Sequence, residues 1–147
     1  MRVEVREESL PLGMAGAWHI DAHATRLATL LTTAELVSAV FNLRLKPLFP
    51  GDSIKTIAGK FQVETVREEG QVSQIVLLTG APGLQARLGM TALQREDGEC
   101  SVVVYNSVHP YSWVGRVYFR LIEPFHHLLV ERVLLARLRK RAPVDAG

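Results

Sequence analysis

Ten polar or large side chains in the second half of the chain have the chemistry to hold a bound molecule: Arg87, Met90, Tyr105, Asn106, His109, Trp113, Tyr118, Phe125, His126 and Arg132. The aromatics and Met90 offer apolar contact, while the rest could orient a polar end. A cavity Tyr or His is also the minimum for acid–base catalysis, but nothing in the sequence pairs one with a partner. Ser101 and Ser107 lack the glycine-flanked elbow of a serine hydrolase. Metal chemistry finds little support. His126 and His127 are adjacent, so on a helix they point about 100° apart and cannot chelate one ion together. His19 and His23 are four apart, a metal-compatible spacing on a helix, but no third ligand is in view. Cys100 is the single cysteine, which excludes an internal disulfide and a thiolate zinc site. The expectation is a ligand-binding set with no catalytic residue, no metal and no cofactor.

Composition agrees with a folded domain of ordinary kind. The 147 residues are 48% hydrophobic and 22% charged with a net charge of +2, too little charge for a nucleic-acid surface. Arg132, Arg137, Arg139, Lys140 and Arg141 cluster near the end, where cations complement the carbonyl end of a helix. The competing reading is contact with an anionic membrane surface. Acidic Glu4, Glu7 and Glu8 stand where a secretory leader needs an apolar run. The last helical stretch carries Arg116, Arg120, Glu123, Glu131 and Arg132 and so cannot span a bilayer. One cytoplasmic domain over residues 1–147 is expected.

The elements that must position those side chains are legible from spacing. Arg2 to Glu8 alternates as a half-buried edge strand, broken by Pro11, Gly13 and Gly16, and Trp18 to Ile20 is a rival for the first strand. Asp21 can cap a short helix through Leu31. Thr32 and Glu35 have the spacing of a capping box, opening a second helix that Pro47, Pro50 and Gly51 end. Between residues 57 and 109, four strand-like runs follow: Lys60–Arg67, Gln71–Thr79, Leu84–Gln94 and Glu99–His109. Their short glycine-bearing connections force antiparallel pairing. Leu84, Ala86, Leu88, Met90 and Ala92 share one strand face, as do Phe61 and Val63. That apolar face needs a cover.

Tyr111 to Arg141 is the only stretch long enough to cover it. Val114, Val117, Tyr118, Leu121, Ile122, Phe125, Leu128 and Leu129 recur at helical steps, and Pro124 should bend the helix midway. Thirty-one residues make about 46 Å of helix at the usual rise, against a diameter of about 38 Å for a domain of this length. Past Pro124 the chain is apolar almost all round. Val130 and Leu134 fall on the far side, where either the N-terminal helices or a second copy of the chain must cover them. A homodimer through Val130, Leu134 and Leu138 is therefore one expectation. Arg132 falls in phase with Val114 and Phe125, which aims it at the core unless its stem snorkels.

The order strand, two short helices, antiparallel meander and long C-terminal helix resembles the α+β helix-grip fold of the START-like (SRPBCC) superfamily. Gly115-Arg-Val-Tyr-Phe119 followed by Pro124-Phe-His-His-Leu-Leu-Val130 is similar to the Gly-Arg-x-Tyr and Pro-Phe-His signature of an uncharacterised bacterial family in that group. Val40-Phe41-Asn-Leu43-Arg44 resembles its earlier Leu-Phe-x-Leu-Arg stretch. The sequence departs at Leu84-Gln-Ala86, where that family carries His and an aromatic, and in the segment His109–Trp113. The resemblance implies a hydrophobic or lipid-like molecule held between sheet and C-terminal helix. A cyclase-like enzyme using the same cavity and an interaction module with a filled core are the alternatives, told apart by cavity size.

Overall fold

The computed structural model describes residues 1–5, 10–11, 14, 19–56 and 59–144. Its seven strands are β1 (Arg2–Val3), β2 (His19–Leu27), β3 (Ser53–Thr56), β4 (Gly59–Glu69), β5 (Val72–Ala81), β6 (Leu84–Gln94) and β7 (Cys100–Pro110). They form one open antiparallel sheet in the order β1-β2-β7-β6-β5-β4-β3. Helix α1 (Thr33–Phe41) joins β2 to the far edge. A C-terminal helix follows β7 as α2 (Trp113–Leu129), a π-helical turn (Val130–Leu134) and α3 (Leu135–Arg141). The molecule is thus α+β, a seven-stranded antiparallel sheet covered by helix.

The meander β4 to β7 is the part that alternation and turn residues dictate. Its connections turn at Gly70, Gly83 and Gly98, all with positive φ, which glycine adopts without a Cβ clash. Leu84, Leu88, Met90 and Ala92 are buried on one face together with Phe61 and Val63. Gly89 belongs to the other face, where the side chain of Met14 fills the space beside it.

The N-terminal third differs from the sequence expectation. The helix expected from Asp21 to Leu31 is instead β2, whose nine residues pair with Cys100–Val108 of β7. A long β7 edge left unpaired would expose a row of backbone donors and acceptors, and nine ladder positions outweigh a weak helical signal. Of the expected strand Arg2 to Glu8 only Arg2 and Val3 are strand, and residues 6–8 lie outside the described set, as does Trp18. The capping box does form: Thr32 accepts from the Glu35 amide and Glu35 reaches back to the Thr32 amide. α1 ends sooner than Pro47, at Asn42, which takes the left-handed conformation with φ 54°.

The C-terminal helix is continuous through Pro124, and its departure from α geometry comes later, at the π turn. Val130, Leu134, Leu135 and Leu138 are buried in the main core with Leu36, Val37 and Val40 of α1. Arg137 also donates to the Val40 carbonyl at 2.7 Å. α1 therefore covers the far side of this helix. Val130, Leu134 and Leu138 belong to the monomer's interior and are not available as the dimer surface expected from the sequence.

The larger correction concerns α2. The expected inward stripe faces out: Val114, Val117, Tyr118, Leu121, Phe125, Leu128 and Leu129 are exposed, Leu121 at 68% and Phe125 at 72%. The inner face carries Gly115 and Phe119, both buried, with Ile122 and His126 half-buried one and two turns on. The cause is backbone contact. Gly115 sits directly against Gly83 in the β5–β6 turn, so closely that a Cβ on either would overlap the other's backbone. Tyr111 donates to the Gly83 carbonyl at 2.9 Å, and the Ser112 hydroxyl caps α2 by accepting from the Gly115 amide at 3.3 Å. With that face pinned, the apolar stripe about 100° around the helix has no choice but to turn outward.

Candidate functional site

β2 supplies the site's floor. Successive strand residues point to opposite faces, so His19, Asp21 and His23 all project toward α2, while Ala22 packs on the other side of the sheet. Asp21 and His23 are buried, 4% and 1% exposed. From above, α2 presents Glu123, His126 and His127, and the π turn adds Glu131. π turns recur at functional sites because the extra residue re-aims side chains.

Contacts within this cluster are short. His23 Nε2 lies 2.6 Å from Asp21 Oδ2 and its Nδ1 lies 2.5 Å from Glu131 Oε1. His127 Nδ1 comes within 2.7 Å of the same Asp21 oxygen, yet it is buried without a hydrogen-bond partner. The other Asp21 oxygen is paired with Arg2 at 2.9 Å. Glu123 approaches His127 Nε2 at 3.8 Å and His19 Nε2 at 4.0 Å, and the His19 ring packs at a tilt against Phe119. Beside the cluster, His126 Nε2 and Asn106 Nδ2 are buried without a hydrogen bond.

The electrostatics follow from this crowding. Burial on its own raises the Asp21 carboxyl, but the hydrogen bond and charge of His23, then His127 and Arg2, hold it below the ordinary value. Glu131 behaves the same way: burial opposes the shift, and His23 with the Met1 amino group lowers it. Burial pushes the His126 imidazole down, and the neighbouring His127 adds to that effect. The cluster thus combines ionised carboxylates with imidazoles in a protected space, a setting for binding a cation or relaying a proton.

The side chains expected to line one cavity do not meet. Arg87 is on the opposite sheet face, paired with Glu64 at 2.9 Å, and Tyr105 is buried on that face near Met14. Met90 is fully buried in the main core. His109 and Arg132 are exposed, so the Arg132 stem snorkels outward. Trp113, Tyr118 and Phe125 lie on the exposed side of α2. Of the ten side chains, His126 and Asn106 alone reach the edge of the cluster. A pocket of about 240 Å³ opens elsewhere, lined by Val37, Ser38, Leu43, Arg44, Lys46 and Ile54 among others, none on the C-terminal helix. Ligand cavities usually begin near 300 Å³.

Sequence reasoning misses Asp21 and Glu131 as site residues, and it weighs His23 only with His19, at a helical spacing. The signal for the strand residues is the period-two spacing His19-x-Asp21-x-His23, which a helix capped by Asp21 conceals. Nothing local could announce that His127 would land above them.

A seven-stranded antiparallel sheet with a 29-residue C-terminal helix, Trp113–Arg141, is also the class of structure that comparison returns. A hypothetical protein from Helicobacter pylori, jhp0584, known from a crystal structure, is similar with a TM-score of 0.62 and 8% identity over 92% of this chain and 96% of that one. At that identity the likeness is one of fold alone. The sequence matches, over residues 17–133, the family described as "Protein of unknown function (DUF2867)", and the chain belongs to that family. No curated protein matches it. Among the described residues, no helix is long and apolar enough to cross a membrane.

Proposed function

We propose that this chain is a binding protein of the helix-grip kind that takes up an apolar, lipid-like small molecule on the outward face of α2. One observation carries the reading. Trp113, Val117, Leu121, Phe125 and Leu128 form an exposed apolar strip along the helix, and contiguous exposed patches of that sort mark sites of association. The strip is continuous at helical spacing and rich in aromatics, which bury large area at low entropic cost. Fold supports the reading in outline: the last strand lies beside the strand that precedes α1, and a long helix closes the chain, as in helix-grip carriers. The ligand site differs from the interior one first expected, because Phe119, Ile122 and the polar cluster occupy the space beneath α2.

The test uses cis-parinaric acid, a fluorescent fatty acid, with the parent chain and the double variant Leu121→Asp/Phe125→Asp. Both positions are exposed, so the variant keeps its thermal midpoint within a few degrees, as exposed substitutions do (~0.5 kcal/mol or less). The parent binds the probe in saturable fashion and the variant loses at least tenfold in affinity. Equal binding by both contradicts the proposal.

A second reading has its own observation. Val130, Leu134, Leu135 and Leu138 are buried together in the main core with α1, which suits an interaction module that needs no interior ligand. In that case the parent binds no fatty acid, and the same double substitution abolishes association with a protein partner or a second copy.

A further inference from the structure

We propose that Asp21, His23 and His127 form a binding site for a divalent transition-metal cation between β2 and α2. This does not rest on the apolar face of α2, and either idea can fail without the other.

Three donor groups converge there: one ligand atom each from Asp21, His23 and His127 lies within 4.8 Å of the other two. Two come from alternate residues of one strand and the third from the facing helix, so the site is built by the fold. The arrangement is poorly explained as hydrogen bonding. Two imidazole nitrogens crowd one carboxylate oxygen at 2.6 and 2.7 Å, and that of His127 gains no hydrogen bond and has no other partner. A nitrogen lone pair buried beside a carboxylate and a second imidazole is what a shared cation would satisfy. Around a tetrahedral ion with bonds of about 2.0–2.1 Å, ligand atoms sit roughly 3.3 Å apart. The two imidazole contacts with Asp21 Oδ2, at 2.6 and 2.7 Å, need to lengthen by less than an ångström.

The outer atoms support the same conclusion. Histidine ligands characteristically give their second nitrogen to a carboxylate, which fixes the tautomer and aims the other nitrogen at the metal. His23 does this with Glu131 at 2.5 Å, and Glu123 stands 3.8 Å from His127 Nε2 in a looser version. Arg2 engages Asp21 Oδ1 at 2.9 Å, which leaves Oδ2 for the ion. Two imidazoles with one carboxylate favour Zn²⁺, Fe²⁺ or Co²⁺ over Ca²⁺ or Mg²⁺, which prefer all-oxygen shells. Three protein donors leave at least one position for water or a ligand group.

The competing explanation is a metal-free imidazolium, His23 held between Asp21 and Glu131. Cobalt decides between them. The full chain is stripped with chelator and titrated with Co²⁺, following the visible d–d bands, with circular dichroism as a check on folding. The proposal expects bands that saturate at one equivalent, and at least a tenfold weaker site in His127→Ala. That substitution is at a half-exposed helix position and suits the helix. Glu131→Gln, which leaves all three ligands in place, weakens binding about 10–100-fold through the lost outer contact. A folded parent that develops no bands, or a folded His127→Ala that titrates like the parent, overturns the site.

Discussion

Leu138 and His23 are both buried almost completely, yet they stabilise the molecule in opposite ways. Leu138 contributes apolar area and close contact in the core shared with α1. Truncating it to Ala should cost about 2–5 kcal/mol, as for other large-to-small core changes, read as a lower urea midpoint. Because Leu138 is interior, the oligomeric state should not change with it. A loss under about 1 kcal/mol accompanied by dissociation of a dimer would restore the interface expected from the sequence. His23 instead depends on two carboxylates for its place. At this scale the sequence was legible for apolar residues and nearly mute for polar ones. Leu84, Leu88, Met90 and Ala92 announced their burial by alternation alone. Asp21, His23, His127 and Glu131 come from three separate elements, and only the fold brings them together.

Elements reveal a different limit. The four meander strands were legible to within about two residues at most ends, because hairpin turns and alternation are local signals. Of β2 only the start was legible, His19 and Ile20 in the rival strand Trp18 to Ile20, since its partner β7 lies roughly 80 residues away and its inward face is polar, so no apolar period marked the rest. α2 was found but its rotation was misjudged. Periodicity names the apolar face of a helix and says nothing of which way that face points when a glycine contact decides it. Gly115→Ala puts a methyl group into the Gly83 backbone and should cost about 1–3 kcal/mol, the usual range for overpacking. Val114→Ala, one residue away on the exposed side, should change stability by about 0.5 kcal/mol or less. Thermal midpoints of the two variants check this, and a reversed order would mean that the stripe and not Gly115 faces the sheet.

Across the whole molecule, the sheet order and the long final helix give two unlike zones. Beneath the π turn and α3 lies an apolar core shared with α1. Beneath α2 lies a layer of histidines and carboxylates, and above α2 lies an apolar strip facing water. That division makes the proposed binding surface and the proposed cation site near neighbours on opposite sides of one helix. It depends on the rotation of α2. Cys100 provides a quiet background for testing it: the thiol is fully buried, and burial raises its pKa, so little reactive thiolate is available at neutral pH. The decisive measurement is therefore the maleimide labelling rate of Leu121→Cys and Phe119→Cys in the native chain. Leu121→Cys should label at close to the rate of an unfolded thiol, while Phe119→Cys should be protected by at least tenfold. Protection at position 121 with free labelling at 119, in a monomeric and ligand-free sample, would contradict the account.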